Sequence, residues 1–484
     1  MSATITSFSV YLVFLMGIGV YFYKKTASLE DYLIGGRAMG SWVTALSAQA
    51  SDMSGWLLMG LPGAVYLGGL SQAWIAVGLF IGTVLNWKYV AARLRVYTEK
   101  TDSMTLPSFF EKRFGDPTGL LRIISAAIIL MFFTIYSASG LVASGKLFES
   151  LFNIDYKLAV IFGGLAIVSY TFLGGFMAVS WTDFFQGILM FFAITIVPII
   201  AYGEIGGMSS IVEMTAENGV SLSLMPEGLT FAAVISAMAW GLGYFGQPHI
   251  LARFMGIDTI KKVASARKIA VIWVAISLTA AVFVGIIAIP MFPNIADSEK
   301  VFIEMIAKIF NPWIGGILLA AVLSAIMSTI DSQLLVSSST LTEDFYNKIV
   351  DREASESEKM WAGRVFVILI AVIAFILALN PNNTVLDLVA YAWAGLGAAF
   401  GPVVLFALFS KKTSWRSVLT GMLLGTITLV FWKESGLGNT LYEIVPGFLV
   451  NVIVIMIVNK VYSQKNKEVL AEFEEVQKIY DRDI

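Results

Sequence analysis

The feature that most constrains this chain is a series of apolar runs, each long enough to cross a lipid bilayer. A membrane-spanning helix needs about 20 consecutive apolar residues, and 57% of the 484 residues are hydrophobic. Only 14% are charged, whereas about a quarter of the residues in a soluble domain carry charge. The sequence therefore predicts an all-α integral membrane protein with little left over for a water-soluble domain.

Apolar runs bounded by charged or turn residues predict about thirteen transmembrane helices, which we number as spans 1 to 13. They cover residues 5–23, 41–69, 71–91, 121–147, 158–178, 182–203, 230–252, 269–292, 313–340, 363–379, 385–409, 415–432 and 441–460. We expect residues 1–462 to form one transmembrane domain and residues 463–484 to form a cytoplasmic tail. Leu470, Phe473 and Val476 have the spacing of one helix face, which predicts an amphipathic helix in this tail.

The basic residues predict how the spans are oriented. No Lys or Arg precedes span 1, and Lys24 and Lys25 follow it, which is the reverse of a secretory signal peptide. If the N-terminus lies outside, 27 of the 32 Lys and Arg residues fall on the cytoplasmic side, as the positive-inside rule requires. The sequence thus predicts a multi-pass plasma membrane protein with its N-terminus outside and its C-terminus in the cytoplasm.

The composition excludes several kinds of site and partner. A formal net charge of −2 provides no basic surface for nucleic acid. The chain has no cysteine and a single histidine, His249, so iron–sulfur clusters, thiolate metal sites and histidine-rich metal sites are excluded. We expect the lipid bilayer as surroundings and no obligate protein partner.

Spans 2 and 7 carry too much polarity and glycine for continuous helices that face lipid. Span 2 places Asp52 at mid-membrane depth and continues through Gly55 and Pro62. An ionisable residue at that depth is costly and marks a functional site. Span 7 has three glycines and a proline within residues 241–248. We expect both helices to be broken, and because lipid cannot satisfy unwound backbone, the breaks must line a cavity.

The two broken spans lie five helices apart, and an odd offset inverts the second unit relative to the first. Paired broken helices at matching positions of an inverted repeat point to a secondary transporter with its site at the midplane. We expect two inverted repeats of five helices each, at roughly 41–203 and 230–409. Spans 1, 12 and 13 then lie outside the repeats.

Span 9 offers a candidate cation site. Ala325, Ser328 and Thr329 place a carbonyl and two hydroxyls on one helix face, although such hydroxyls also bond back to their own helix. A hard cation needs several oxygen ligands. Carbonyls freed by the unwinding of span 2 would complete such a set.

Long strings of the chain match a known family. They are GGR at 35–37, TALSAQASDMSGWLLMGLPGAV at 44–65 and WGLGYFGQPHILARFM at 240–255, with further matches at 132–140, 179–183, 327–335 and 391–404. Through these strings the chain resembles the sodium/solute symporter family, and within it the branch that transports proline. The resemblance covers nearly the whole chain. It implies a five-plus-five inverted repeat and sodium-coupled uptake of L-proline by alternating access, with sodium as the co-transported ion.

The resemblance also implies roles for particular residues. The family's sodium site falls on the carbonyls of Ala50, Met53 and Ala325 and on the hydroxyls of Ser328 and Thr329. The positions that enclose substrate are matched by Trp56, Tyr136, Trp240, Tyr244 and Pro248. Positions that govern coupling or ligand affinity are matched by Arg37, Asp52, Ser54 and Gly55.

Two carboxylates stay open as sites for a second cation. Asp331 lies near the implied sodium ligands. Asp183 lies at the mouth of span 6, where related symporters for other solutes place a second sodium ion, but capping of the helix N-terminus explains it equally well. For His249 and Arg253 we expect a structural role rather than a proton relay.

Three other functions compete with proline symport. An intramembrane enzyme would need a catalytic pair, for which only Asp52 and Asp331 remain, and we expect no enzymatic activity. A channel is disfavoured because broken helices in an inverted repeat suit alternating access better than an open pore. The remaining alternative is a sodium symporter of the same family for another small solute, since a shared fold does not fix the substrate.

Overall fold

A computed structural model describes residues 2–26, 28–171, 175–350, 355–380 and 383–483. Over these residues the regular secondary structure is helical, apart from one isolated bridge between Met39 and Ile257. Ten helical stretches of the described residues are long and apolar enough to cross a membrane, and one of them, Trp56–Lys100, combines several consecutive helical segments. The all-α membrane fold is therefore confirmed, while the count of thirteen spans stays a prediction. The end of predicted span 5 includes residues 172–174, which lie outside the described residues.

Helices in the N-terminal half are α1 (Ser2–Tyr23), α2 (Leu29–Ile34), α3 (Ser41–Asp52), α4 (Leu61–Gly68), α5 (Ala73–Leu85), α6 (Ala91–Lys100), α7 (Leu106–Phe114), α8 (Leu120–Phe152), α9 (Tyr156–Thr171), α10 (Phe176–Glu204) and α11 (Met208–Glu217). Those in the C-terminal half are α12 (Phe231–Met238), α13 (Pro248–Gly256), α14 (Ile260–Met291), α15 (Val301–Ile309), α16 (Pro312–Thr340), α17 (Glu356–Ala378), α18 (Val385–Phe409), α19 (Trp415–Glu434), α20 (Ile444–Val461) and α21 (Lys467–Asp483). Short 3-10 or π-helical segments extend several of them, at Gly35–Arg37, Trp56–Gly60, Gly69–Gln72, Asn86–Val90, Ala239–Gly246, Ser298–Lys300, Leu341–Val350 and Leu437–Asn439.

Both spans that the sequence predicts to be broken are interrupted. In span 2, α3 ends at Asp52, and Met53 leaves the helical region with φ −80° and ψ 72° before a π-helical turn leads into α4. In span 7, the 3-10 stretch Ala239–Gly246 separates α12 from α13. Glycine inside a helix costs about 0.5–1 kcal/mol relative to alanine, and Pro248 cannot donate a hydrogen bond to the preceding turn. These residues explain why span 7 divides where it does.

Glycines let the 3-10 stretch of span 7 pack directly on α5. A Cβ on Gly82 would lie 2.3 Å from the carbonyl oxygen of Gly241, and a Cβ on Gly78 would lie 2.3 Å from that of Met238. Small residues at four-residue spacing allow this close approach of helices in lipid. Because the two backbones are in direct contact here, the position of the 3-10 stretch relative to α5 is fixed. The positions of the aromatic side chains on this stretch are fixed with it.

The predicted amphipathic helix of the tail is present as α21, and it packs on the rest of the protein. Phe473 lies against Tyr97 of α6, with ring centroids 6.3 Å apart. Lys411, which follows α18, makes an ion pair with Glu474 of α21. The helix therefore connects the end of α6, in the first predicted repeat, with the end of α18, in the second.

Candidate functional site

Four of the five implied sodium ligands come together between α3 and α16. The Ser328 hydroxyl lies 2.7 Å from the carbonyl oxygen of Ala50 and 3.2 Å from that of Ala325. The Thr329 hydroxyl lies 3.4 Å and 3.2 Å from the same two carbonyls. Each of the four residues is at most 1% exposed. Two carbonyl and two hydroxyl oxygens thus converge on one buried point between the two helices.

The hydroxyls of Ser328 and Thr329 contact both α16, to which they belong, and α3. They bond back to their own helix through Ala325, as serine and threonine often do, and they also reach across to Ala50 on the other helix. Among the described residues, no group of three or more His, Cys, Asp or Glu side chains could hold a metal ion. A cation at this point would be held by carbonyl and hydroxyl oxygens, which is ligand chemistry suited to a hard ion.

Met53, the fifth implied ligand, occupies the break in span 2. Its N–H still donates to the carbonyl of Gln49 at 2.8 Å, so the last turn of α3 closes normally. Its ψ of 72° then turns the chain, and its carbonyl no longer points along the helix axis. The break therefore gives Met53 a backbone direction that a continuous helix would not allow.

Asp52 links the break in span 2 to the break in span 7. Its Oδ2 accepts a hydrogen bond from the Tyr244 hydroxyl at 2.5 Å, and its carbonyl accepts one from the Trp56 indole at 3.0 Å. The other carboxylate oxygen, Oδ1, has no hydrogen-bond partner among the described residues. A fully buried carboxylate with so little compensation is costly. A cation beside it would reduce that cost, and in sequence Asp52 lies between the implied ligands Ala50 and Met53.

Three of the implied substrate-enclosing residues belong to one buried aromatic cluster. The ring centroids of Trp56 and Trp240 are 6.4 Å apart. Tyr244 packs edge-on against Trp393 at 5.1 Å, and the Trp393 indole donates to the carbonyl of Trp240 at 2.7 Å. Sequence reasoning did not single out Trp393 as a site residue, because its contacts are with residues about 150 positions away and follow no local spacing. We call these four residues the aromatic cluster.

The other two substrate-enclosing candidates have different surroundings. Tyr136 packs edge-on against His249, with centroids 6.2 Å apart, and its hydroxyl has no hydrogen-bond partner among the described residues. Pro248 lines a small cavity together with residues of α7 and α16, among them Leu106 and Thr340. Pro248 therefore faces the side of the molecule where α7 lies.

The structure corrects one interpretation of Asp183. Because α10 begins at Phe176, Asp183 lies beyond its first turn and cannot cap the helix. Its Oδ2 accepts hydrogen bonds from the Ser47 hydroxyl at 2.7 Å and from Arg253 at 3.1 Å. Both charged side chains are fully buried, and Arg253 also donates to the Ser332 hydroxyl at 2.5 Å. A guanidinium group thus provides the positive charge next to Asp183, and a structural role for Arg253 stays a prediction.

Arg37 ties three segments together at one end of the molecule. Its guanidinium donates to the carbonyls of Thr98, Ser103 and Met255, each at 3.0 Å. Its φ of 52° lies in the left-handed region that non-glycine residues seldom adopt. The side chain therefore joins the segment after α2 to the end of α6 and to the end of α13, the second half of broken span 7.

Ser54, Gly55 and Asp331 all lie close to the predicted ion site in the chain. Ser54 lies in the break of span 2 after Met53, and Gly55 begins the turn that follows. A Cβ on Gly55 would lie 2.9 Å from the Cβ of Ala143 in α8. Asp331 is fully buried on α16, one turn beyond Ser328. A role for Asp331 in binding a second cation stays a prediction.

Comparisons with a family model and with known relatives indicate the same family of transporters. The model of the sodium:solute symporter family matches residues 32–425. A sodium/proline symporter of Escherichia coli (strain K12) is 49% identical over 481 residues, which cover 97% of this chain and 95% of the relative. The high-affinity proline transporter PutP of Bacillus subtilis (strain 168) is 46% identical over 465 residues, which cover 95% of this chain and 98% of the relative.

Among solved structures, a Na+-coupled sialic acid symporter in a substrate-bound outward-open state resembles this chain with a TM-score of 0.82. The two sequences are 19% identical, and the match covers 96% of this chain and 99% of the other. At that identity the likeness shows the fold alone. Together with the two interrupted helices, it confirms the five-plus-five inverted repeat that the sequence predicts.

Removing one member of the Arg253–Asp183 pair should destabilise the protein more than removing both charges. Arg253→Met leaves the carboxylate buried without its charged partner, which costs about 3–5 kcal/mol, whereas Arg253→Met with Asp183→Asn leaves no unpaired charge. The Tm of the purified protein in detergent should therefore rank wild type highest, the double variant next and Arg253→Met lowest. A double variant no more stable than Arg253→Met would contradict a direct ion pair.

Proposed function

The chain belongs to the sodium:solute symporter family, and from this membership we propose that it imports L-proline together with sodium by alternating access. The observation that carries the proposal is the 49% identity with the sodium/proline symporter of Escherichia coli over 97% of this chain. The oxygen cluster between α3 and α16 and the aromatic cluster beside it support the same function. Symport of another small solute is the alternative within the family.

Sodium is the transported coupling ion in this proposal. Its ligands are the carbonyl oxygens of Ala50, Met53 and Ala325 and the hydroxyl oxygens of Ser328 and Thr329. The assignment is supported by four of these oxygens, since each of the two hydroxyls lies within hydrogen-bond distance of both the Ala50 and the Ala325 carbonyl. An ion bound there replaces part of its hydration shell with these oxygens and holds α3 and α16 at a fixed separation.

Sodium raises the affinity for proline through Asp52 in this mechanism. An ion near Ala50 stabilises the charged carboxylate of Asp52, which then accepts a stronger hydrogen bond from Tyr244. Tyr244 belongs to the aromatic cluster, so the hydrogen bond between Asp52 and Tyr244 connects the ion site with the substrate site. By thermodynamic linkage, proline must raise the affinity for sodium by the same factor.

Proline has three chemical features that a site must match. Its small apolar ring suits the aromatic cluster, and its secondary ammonium suits the faces of aromatic rings such as Trp56, Trp240 and Tyr244. Its carboxylate suits the N-terminal ends of half-helices, where backbone N–H groups are free. Tyr136 and Pro248 complete the enclosure in this proposal, with Arg37, Ser54 and Gly55 acting on coupling and affinity.

A transporter is favoured over an intramembrane enzyme. Catalysis by this chain would need a pair of carboxylates, and the carboxylate of Asp52 is already engaged with the Tyr244 hydroxyl. The relatives that cover nearly the whole chain are named as a symporter and a transporter.

We place the N-terminus outside and the C-terminus in the cytoplasm, because 27 of the 32 Lys and Arg residues then face the cytoplasm. The chain has no cysteine, so a single introduced cysteine is a unique label. Ser435→Cys, between α19 and α20, should react with a membrane-impermeant maleimide in intact cells, and Glu468→Cys, in α21, should react only after lysis. The reverse pattern would invert the topology.

Uptake of labelled proline into proteoliposomes tests the function as a whole. An inward sodium gradient should drive accumulation of proline, and choline in place of sodium should abolish it. A negative interior should increase the drive by about 2.3 kcal/mol per 100 mV for each net charge moved. Competition with other amino acids identifies the substrate. Proline uptake that is equal in sodium and in choline would contradict the proposal, and stronger competition by another solute would favour the family alternative.

Substitutions at the two clusters should separate sodium from proline. Thr329→Ala removes an ion ligand, so the sodium concentration for half-maximal uptake should rise strongly while proline affinity at saturating sodium changes little. Thr329→Ser keeps the hydroxyl and should be mild. Trp240→Ala should do the opposite, raising the half-saturating proline concentration about tenfold, since a lost aromatic contact costs roughly 1–2 kcal/mol.

The variants at Thr329 and at Trp240 serve as controls for each other in the same assay. Equal damage from Thr329→Ser and Thr329→Ala would show that the methyl group packs and that the oxygen does not bind the ion. Loss of expression with unchanged proline affinity in Trp240→Ala would place that indole in the core instead.

A further inference from the structure

We propose that Tyr442 is a positioning residue that holds the Trp240 indole in the orientation that receives substrate. The inference rests on the proposed function, because that function assigns Trp240 to the proline site. The two rings are stacked, with centroids 5.6 Å apart and an interplanar angle of 27°. Tyr442 lies just before α20, outside both predicted repeats and beyond residue 425, where the match to the family model ends. The support for Trp240 thus comes from outside the five-plus-five core.

Among the aromatic and hydrogen-bond contacts of Trp240, the stacked ring of Tyr442 constrains the orientation of the buried indole most directly. The bond from Trp393 fixes the main-chain carbonyl of Trp240 and does not touch the side chain. Trp56 approaches the indole at 6.4 Å with a tilt of 43°. The stacked ring of Tyr442 restricts rotation of the indole about its second side-chain torsion, which is otherwise broad for aromatic residues.

Tyr442 is itself fixed by hydrogen bonds at the main chain and at the tip of its side chain. Its hydroxyl donates to the carbonyl of Ala390 in α18 at 2.6 Å, and its N–H donates to the Ser236 hydroxyl in α12 at 3.0 Å. The preceding carbonyl, of Leu441, accepts a bond from the Trp432 indole at 2.8 Å. Because these bonds hold Tyr442 at both ends and only 8% of the residue is exposed, its ring forms a rigid surface against which the Trp240 indole packs.

The contact with Ser236 strengthens this assignment. Ser236 lies one helical turn before Trp240, so Tyr442 contacts the same segment at two successive turns, once by its backbone and once by its ring. A residue that only filled space would need volume but neither a flat ring nor these two anchors. The inference therefore predicts that the shape of the side chain at position 442 matters more than its volume.

The first test compares Tyr442→Leu with Tyr442→Phe. Leucine is apolar but has no flat face, so the half-saturating proline concentration should rise about fivefold, as loss of one aromatic pair implies, with little change in maximal rate or in sodium dependence. Phenylalanine keeps the ring and should restore most of the affinity. Tyr391→Leu is the matched control, since the Tyr391 ring packs edge-on against Phe132. Equal proline affinity in Tyr442→Leu and wild type would overturn the inference.

A double-variant comparison shows whether Tyr442 acts through Trp240. In a Trp240→Ala background, Tyr442→Leu should cause no further loss of proline affinity, because the indole that it positions is gone. The same fivefold loss in that background would assign Tyr442 a separate role and overturn the inference.

A readout without substrate separates this inference from the proposed function. In protein labelled with 5-fluorotryptophan, the 19F resonance of Trp240 is identified by its loss in Trp240→Phe. Tyr442→Leu should broaden or split this resonance, because an indole without the stacked ring samples more than one orientation, and Tyr391→Leu should leave it as narrow as in wild type; a single narrow resonance in Tyr442→Leu would overturn the inference. If wild-type protein failed to transport proline while the resonance still broadened or split in Tyr442→Leu, the proposed substrate would be wrong and Tyr442 would still be the residue that orients Trp240.

Discussion

Hydrocarbon cannot accept or donate hydrogen bonds, so every stretch of unwound backbone in this protein must be hidden from lipid. The breaks at Met53 and at Ala239–Gly246 satisfy this requirement by facing inward, where Asp52 joins them through Tyr244. The oxygens of the candidate ion site and the aromatic cluster lie where they do because that is where broken helices can be covered. Additional helices contribute to the cover, and Tyr442 reaches the cluster from the segment just before α20.

Features that depend on local composition could be predicted from the sequence, and features that depend on distant pairing could not. Glycine and proline content located both breaks, and helical spacing grouped Ala325 with the hydroxyls of α16. Asp183 and Arg253 lie 70 residues apart, and no periodicity connects them, so the sequence left Asp183 open between a second sodium site and a helix cap and did not predict the ion pair. Trp393 and Tyr442 were missed for the same reason. The number of spans also resists prediction, because broken helices such as α12 have only eight residues.

Two of the buried carboxylates differ in a way that local sequence does not reveal. Asp183 has a permanent cationic partner in Arg253, and a carboxylate neutralised in this way has little to gain from sodium. Asp52 has one hydroxyl partner and an oxygen without a partner among the described residues. A cation bound beside Asp52 would lower the energetic cost of burying its charge, so the balance between conformations of the protein would then depend on ion concentration.

The docking of α21 on α6 has a consequence for how the protein is made. Arg93 of α6 donates to the side chain of Gln477 at 2.5 Å, and these residues are 384 positions apart. Ribosomes add roughly 5–20 residues per second, so the end of α6 waits on the order of 20–80 s for this partner. During that interval the rings and guanidinium groups that α21 later covers, including Tyr97 and Arg113, are open to other molecules at the membrane surface. Maturation of this surface therefore follows membrane insertion of α6 by a delay that the order of the chain imposes.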